Sequence, residues 1–209
     1  MSVLKKIAYF QNRRDEVPNQ LLAAELAKAK DTKGIKEIAE NLDNENPSIR
    51  ADCLKVLYEV GYISPKLVSG YAESFLSLLK ASNNRLVWGA MIALSTIASE
   101  QSGTIAKHID EIIETMNKGS VITVDNGIKT LAIVASKQVG VQPKLMAFLV
   151  EHLRTCRAKE VPQHAESTLV AVDAKSKARF IAALESRKGE YNPSQAGRVA
   201  KVIRRAETR

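Results

Sequence analysis

Apolar side chains return every 37 residues through the middle of the chain. Six such columns run through four successive copies, and Thr168 is the one polar side chain in them. The columns begin at Ile35, Ile38, Leu42, Leu54, Leu57 and Val60. Because six columns stay in phase over four periods, the pattern predicts a stack of one repeated structural unit.

Within each copy the apolar positions have helical spacing. Ile35, Ile38 and Leu42 stand at i, i+3 and i+7, which places them on one face of a helix. Asn46-Pro47 separates two such segments inside a unit, and breaker-rich links such as 140–143 separate neighbouring units. The pattern predicts about twelve helices, at residues 2–14, 18–30, 32–43, 47–61, 66–81, 84–100, 103–118, 121–138, 142–157, 160–173, 176–188 and 193–208.

A 37-residue unit of two helices resembles the HEAT and armadillo-like repeat families over about residues 32–173. The stretches 46–54 and 84–94 are similar to the loop and second helix of a HEAT unit, with a basic residue followed by an apolar ladder. The resemblance implies an all-α, right-handed α-solenoid of HEAT-like two-helix repeats. We predict one solenoid domain over 1–209, with an N-terminal helical cap (1–31), four repeats (32–173) and a basic C-terminal helical cap (174–209).

The net charge of +8 lies near the end of the chain. Residues 1–174 hold 21 basic and 20 acidic side chains, whereas residues 175–209 hold 10 basic against three acidic ones. This distribution argues against a nucleic-acid surface over the whole body and leaves a local basic patch open. Two cysteines and the lack of a long apolar run predict a cytoplasmic protein in a reducing compartment, without a membrane span.

The sequence contains no glycine-rich phosphate loop and no His-Glu-x-x-His or Cys-x-x-Cys motif. His152 and Cys156 are four residues apart on a predicted helix, and His164 follows eight residues later, so the three form a candidate zinc set. Because the paired spacing of zinc modules is missing, we interpret Cys156 as a small core residue and His164 as a capping residue. We therefore expect no cofactor, no metal and a non-enzymatic protein.

The second helices of such solenoids line a concave groove, which is where these families bind partners. Trp88, the only tryptophan, falls in a register beside the polar positions of these helices and is the predicted anchor for a protein or peptide partner. In the alternative interpretation, Trp88 packs between adjacent helices and the polar residues are only a solvated face. The predicted groove residues are Arg85, Trp88, Asp125, Asn126, Lys129 and Gln163.

The last predicted helix carries a basic stripe. Arg198, Lys201, Arg205 and Arg209 share one face, whereas Ala196, Val199, Ile203 and Ala206 share the other. The stripe is a candidate phosphate contact, which predicts the alternative function of a nucleic-acid-binding repeat protein. A solvated basic cap at the end of the stack explains the same pattern.

One group of DNA-alkylation-repair glycosylases is also built from HEAT-like repeats, and its groove uses a tryptophan and a carboxylate. Trp88 and Asp125 share a repeat register and are similar to that pair. This resemblance implies Asp125 as the carboxylate. The chain departs from the pattern in its single tryptophan and near-neutral body.

Overall fold

The computed structural model describes residues 2–209, and that range contains α-helices and 3-10 turns but no strand. The helices are α1 Val17–Ala29, α2 Thr32–Glu40, α3 Pro47–Ile63, α4 Ala72–Leu78, α5 Asn84–Ile97, α6 Ser102–Ile105, α7 Ile109–Lys118, α8 Val121–Lys137, α9 Gln142–Thr155, α10 Val161–Thr168, α11 Lys177–Glu185 and α12 Pro193–Glu207. The predicted all-α class is confirmed. Among the described helices, none is long and apolar enough to cross a lipid bilayer.

The chain forms two compact units, one ending at Gly127 and the other comprising Ile128–Arg209, with the boundary inside α8. In the first unit α2 packs on α3 and α4 packs on α5, while α1, α3 and α5 lie side by side as a layer of second helices. In the second unit α9 packs on α10, α11 packs on α12, and α12 lies beside α10. The two-helix unit is therefore observed, and the single-domain boundaries stay a prediction.

The repeat columns form the core of these helix pairs. Ile38, Phe75, Ile112 and Leu149 stand 37 residues apart, and each is fully buried. Burying one such side chain contributes roughly 1.5–3 kcal/mol to folding, so the columns supply much of the driving force. Side-chain caps fix where the second helices begin, as the Asn46 side chain accepts a 2.9 Å hydrogen bond from the Ser48 amide.

The prediction of a helix over residues 2–14 is wrong, because the N-terminal segment forms no α-helix over this range. It contains two 3-10 turns, Leu4–Lys6 and Tyr9–Gln11, and ends at Asn12 with a φ of 52°. Its amides bond to distant side chains, and the Tyr9 amide donates to Asp52 at 2.8 Å. Because these partners lie in other elements, the segment follows their surface and does not form an α-helix.

The last two helices continue the two-layer packing although the period of 37 is lost. Phe180 and Leu184 of α11 are fully buried, as are Leu149 and Leu153 of α9, which stand 31 residues earlier. A shorter connection thus shifts the register and keeps the core face. The buried face of α12 consists of Val199, Val202 and Ala206, whereas Ile203 is half-buried and Ala196, assigned to that face from the sequence, is exposed.

Arg187 is one of the charges of the basic C-terminal segment, but it is buried and serves the end of α9. Its Nη1 donates to the carbonyls of Leu153 at 3.0 Å and Cys156 at 2.6 Å. The last carbonyls of a helix lack intrahelical donors, and a guanidinium can satisfy them. Glu190 accepts from Nε of Arg187 at 3.0 Å, so this charge is neutralised inside the unit.

Candidate binding surfaces

The outer faces of α10 and α12 carry exposed polar side chains that lie next to each other in the second unit. Arg198 of α12 donates to both carboxylate oxygens of Glu166 on α10, at 2.9 and 2.7 Å. The bond to Arg198, with the nearby charges of Arg205 and Lys201, lowers the pKa of Glu166. The basic stripe of α12 therefore lies beside the polar row of α10, which includes exposed Gln163. We call this area the α10–α12 face.

The four stripe residues have different environments. Lys201 and Arg205 are exposed, whereas Arg198 is engaged by Glu166. Nη1 of Arg209 donates to the carbonyl of Val170 at 3.3 Å. Within the stripe, Lys201 and Arg205 are thus the side chains best placed to meet a ligand, and their role in contacting phosphates stays a prediction.

The two units differ in charge. The first holds 15 Lys and Arg against 16 Asp and Glu, and the second holds 16 against seven. The excess of positive charge is thus a property of the whole second unit and is larger than the terminal 35 residues alone suggest. A surface with this balance attracts anionic partners, and the attraction weakens as salt screens it.

In the first unit, Arg85 lies close to the N-terminal segment. Its Nη2 is 3.6 Å from Glu16 Oε1 and 3.9 Å from Asp52 Oδ1, and the side chain remains 45% exposed. Together with Arg13 and Arg14 it lines an open pocket of about 680 Å³. Trp88, one turn further along α5, is half-buried at a narrow crevice between α3 and α5. Whether Trp88 contacts a partner stays a prediction.

The polar row of α3 is covered by the N-terminal elements. Asp52 and Lys55 are charged, which alone would indicate a solvated face, but each is only 7% exposed. Lys55 Nζ is 2.9 Å from Glu16 and 2.7 Å from Glu59. Burial opposes the charge of Lys55, yet these hydrogen bonds outweigh it and raise the pKa of the amine. These positions are buried because α1 packs on α3 in the place of a preceding second helix.

The remaining predicted groove residues differ in how far they are exposed and in what they contact. Asn126 accepts a 3.1 Å hydrogen bond from the Ser95 hydroxyl and donates to the Ile122 carbonyl at 2.9 Å, so it links α8 to α5. Asp125 is half-buried in the first unit, and Lys129 is half-buried in the second. Of the six predicted residues, Arg85 and Gln163 are the exposed ones.

The structure brings His152, Cys156 and His164 together, as their spacing allows. His152 Nε2 lies 3.0 Å from His164 Nδ1, and the ligand atoms of all three residues lie within 4.8 Å of one another. His164 is fully buried, whereas His152 and Cys156 are half-buried. Burial raises the pKa of the Cys156 thiol, and the charge of Arg187 opposes this shift. The interpretation of His164 as a simple helix cap is incomplete, because its ring faces a second imidazole.

Comparisons with solved structures show the fold. A designed armadillo repeat protein in complex with the peptide (KR)4 is 14% identical, with a TM-score of 0.68 over 88% of this chain and 86% of that chain. An engineered protein is 19% identical, with a TM-score of 0.66 and full coverage of both chains. Kap121p bound to Pho4p is 13% identical, with a TM-score of 0.67 over 97% of this chain and 23% of that chain. No protein-family model matches the sequence, and the search of curated proteins found no match.

These similarities confirm the predicted HEAT/armadillo-like repeat fold. At such low sequence identity they define the fold alone, and similar solenoids serve many functions. The resemblance to glycosylases stays a prediction.

Sequence reasoning missed Glu166 as a member of the candidate surface. It was visible as the polar successor of Lys55 and Lys129 in the 37-residue register. Its pairing with Arg198 was hidden because the register shifts before α12, so no column connects the two residues.

Proposed function

We propose that the protein is a helical-repeat scaffold whose α10–α12 face binds an acidic segment of a partner protein. The observation that carries the proposal is the Glu166–Arg198 ion pair, which sets Lys201 and Arg205 beside the polar row of α10. Carboxylates of a bound segment pair with these two exposed cations. The exposed amide of Gln163 offers a donor and an acceptor to the backbone of the segment.

The repeat fold supports a peptide ligand, and the positive charge of the second unit favours a peptide of negative charge. The designed armadillo repeat protein described above is bound to the basic peptide (KR)4. The second unit of this chain has the opposite requirement, since its basic side chains outnumber its acidic ones by more than two to one. A basic peptide is therefore repelled, and an acidic one is attracted.

Nucleic acid is the second candidate ligand, because exposed Lys201 and Arg205 also suit phosphates. Neither α10 nor α12 contains Phe, Tyr or Trp, so the face offers no such aromatic platform for bases. Binding of DNA through this face is then non-specific and falls steeply as the salt concentration rises.

A titration followed by fluorescence anisotropy tests the proposal. The labelled ligands are an acidic peptide of alternating Glu and Ser, the basic peptide (KR)4 and single-stranded DNA. We expect the acidic peptide to bind and (KR)4 not to bind at physiological salt. DNA that binds more tightly than the acidic peptide would favour the second candidate.

Charge-reversed variants locate the binding surface. We expect Lys201→Glu combined with Arg205→Glu to weaken acidic-peptide binding at least tenfold. The matched control is Lys175→Glu combined with Arg179→Glu, which changes the charge equally at exposed positions of the same unit. Equal losses in both variants would mean a general charge effect and would refute a defined face.

In the first unit we propose Arg85 and Trp88 as contacts for a further part of a partner. Arg85 is exposed, and Trp88 is the only tryptophan, so its emission reports on this surface alone. A bound partner is expected to shift that emission, and Trp88→Phe is expected to weaken binding while the thermal unfolding midpoint stays unchanged. A lower midpoint with unaltered binding would assign Trp88 to packing.

A further inference from the structure

We propose that His152, Cys156 and His164 form a binding site for a borderline divalent transition metal, zinc being the ion that this donor set suits. All three residues belong to the second unit: His152 lies on α9, Cys156 directly follows α9, and His164 lies on α10. The site is separate from the proposed peptide surface and does not depend on it.

The backbone brings the three ligands to one place. His152 and Cys156 are four residues apart at the end of α9, so they lie on the same side of the chain. His164 stands in the first turn of α10, where its ring meets that of His152 at a centroid distance of 4.9 Å. Phe148, one turn before His152, stacks on the imidazole and holds its orientation.

The distances are close to those of a bound ion. Tetrahedral zinc has Zn–N bonds of about 2.0–2.1 Å and Zn–S bonds of about 2.3 Å, so its ligand atoms lie roughly 3.3–3.7 Å apart. His152 Nε2 and His164 Nδ1 are 3.0 Å apart, and all three ligand atoms lie within 4.8 Å. Side-chain shifts of about 1 Å therefore complete a three-ligand site, and the fourth position is left for water.

The surrounding charges are compatible with an added cation. Arg187 lies 4.0 Å from Cys156 Sγ, but its Nε is held by Glu190, which neutralises it. A second carboxylate, Glu160, is paired with Arg157; burial opposes the charge of Glu160, but the hydrogen bond from Arg157 outweighs it and lowers the pKa of Glu160. One thiolate and two neutral imidazoles leave a net charge of +1 on the bound ion, and both neighbouring ion pairs add none.

Binding of the metal ion requires that its three ligand atoms carry no proton. The thiol of Cys156 loses its proton to water as the metal–sulfur bond forms. The proton that His152 Nε2 and His164 Nδ1 share moves to the other nitrogen of the same ring, so both imidazoles bind as neutral ligands. One proton is released for each ion bound, and the affinity rises with pH.

Cobalt titration of the full chain, stripped of metal with a chelator, tests the site. We expect about one Co²⁺ per chain, the visible d–d bands of tetrahedral cobalt and a near-ultraviolet thiolate-to-cobalt band. Zinc is then expected to displace cobalt and remove both signals. No visible or charge-transfer band in the wild-type chain would overturn the proposal.

Variants assign the ligands, and the chain supplies matched controls. Cys156→Ala is expected to remove the charge-transfer band, and His152→Ala is expected to weaken cobalt binding at least tenfold; both side chains are only half-buried. The controls are Cys53→Ala and His108→Ala, since these are the other cysteine and the other histidine. Circular dichroism verifies that each variant folds. Bands that survive Cys156→Ala, or that disappear in a folded control variant, would refute this ligand set.

Discussion

Asp52, on α3, joins the N-terminal segment to the helices of the first unit. Its carboxylate accepts the Tyr9 amide at 2.8 Å and the Asn19 amide group at 3.0 Å. Asn19 is fully buried and in turn accepts the Ala8 amide at 2.9 Å. Because buried polar groups are costly when unpaired, this small network determines where the segment lies.

Replacing Asp52 with Ala is expected to lower the free energy of unfolding by about 1–3 kcal/mol, because Asn19 and Tyr9 lose their acceptor. Chemical denaturation measures this loss, and faster amide exchange at Tyr9 locates it. Asp43→Ala is the control, as Asp43 is exposed and its removal is expected to change stability by less than about 0.5 kcal/mol. An equal loss in the control would contradict the network.

Glu37 makes attachment of the N-terminal segment sensitive to acid. Its carboxylate accepts a hydrogen bond from the Ser2 hydroxyl and from the amides of Val3, at 3.1 Å, and Leu4, at 3.4 Å. The bond to Ser2, opposed by burial and supported by the two amides, lowers the pKa of Glu37. A carboxyl group whose pKa is lower in the folded chain than in the unfolded chain stabilises the fold at pH values above its unfolded pKa. This stabilisation is lost as the pH falls through the pKa of the folded chain.

We therefore expect the segment to detach as pH falls below about 4.3, the ordinary pKa of glutamate. Amide exchange at Val3 and Leu4, corrected for intrinsic rates, is expected to accelerate in this range in the wild-type chain. In Glu37→Gln the corrected rates are expected to be fast already at neutral pH and to show no such transition. An identical pH profile in both chains would contradict the role of Glu37.

The residue scale is where prediction from sequence was weakest. Asp52 and Glu37 bond to amides more than 30 residues away, and such contacts leave no local pattern in the sequence. The polar character of Asp52 and Lys55 indicated a solvated face, whereas α1 and the N-terminal segment cover them. The cluster around His164 was visible as a set, because two of its members have helical spacing.

At the scale of elements, α3 and α5 approach closely at Gly61. A Cβ at this position collides with the Thr96 hydroxyl and lies 2.9 Å from Thr96 Cβ. Thr96 cannot easily yield, since it is branched at Cβ and its hydroxyl donates to the Ala93 carbonyl at 2.7 Å. The small size of Gly61 thus determines the separation of two neighbouring second helices.

Gly61→Ala is expected to lower the free energy of unfolding by about 1–3 kcal/mol, because the added methyl group overpacks this contact. Gly197→Ala is the matched control in the interior of α12, where an added Cβ meets nothing within 4 Å. There alanine is expected to raise stability by about 0.5–1 kcal/mol through its helix propensity. Denaturation curves that shift in the same direction for both variants would contradict the close approach at Gly61.

Helices were the most predictable elements, because burial on one face repeats with the helical period. The second helices α3, α5 and α8 begin at Pro47, Asn84 and Val121, the residues at which the predicted helices begin. The first helices were less predictable, since 3-10 turns replace part of them, as at Pro65–Leu67 and Ser69–Tyr71 before α4. Apolar spacing alone does not distinguish such turns from a continuous helix.

At the scale of the whole molecule, the sequence repeat predicted the fold, and the ion pair between Glu166 and Arg198 located the candidate surface on α10 and α12. The period of 37 indicated HEAT/armadillo-like packing, which the similarity to solved repeat proteins confirms. The excess positive charge belongs to the second unit, where Glu166 and Arg198 connect α10 with α12. The partner could not be named, because exposed side chains such as Lys201 and Arg205 define only its charge.

Photo-cross-linking of an acidic peptide to the full chain tests the proposed binding surface most directly. The peptide carries a photoreactive side chain at its centre, and mass spectrometry of the digested product maps the attachment points. We expect cross-links within Val161–Thr168 and Pro193–Glu207, lost in Lys201→Glu combined with Arg205→Glu and retained in Lys175→Glu combined with Arg179→Glu. Cross-links outside these two helices, or a pattern that the first variant leaves unchanged, would contradict binding at the α10–α12 face.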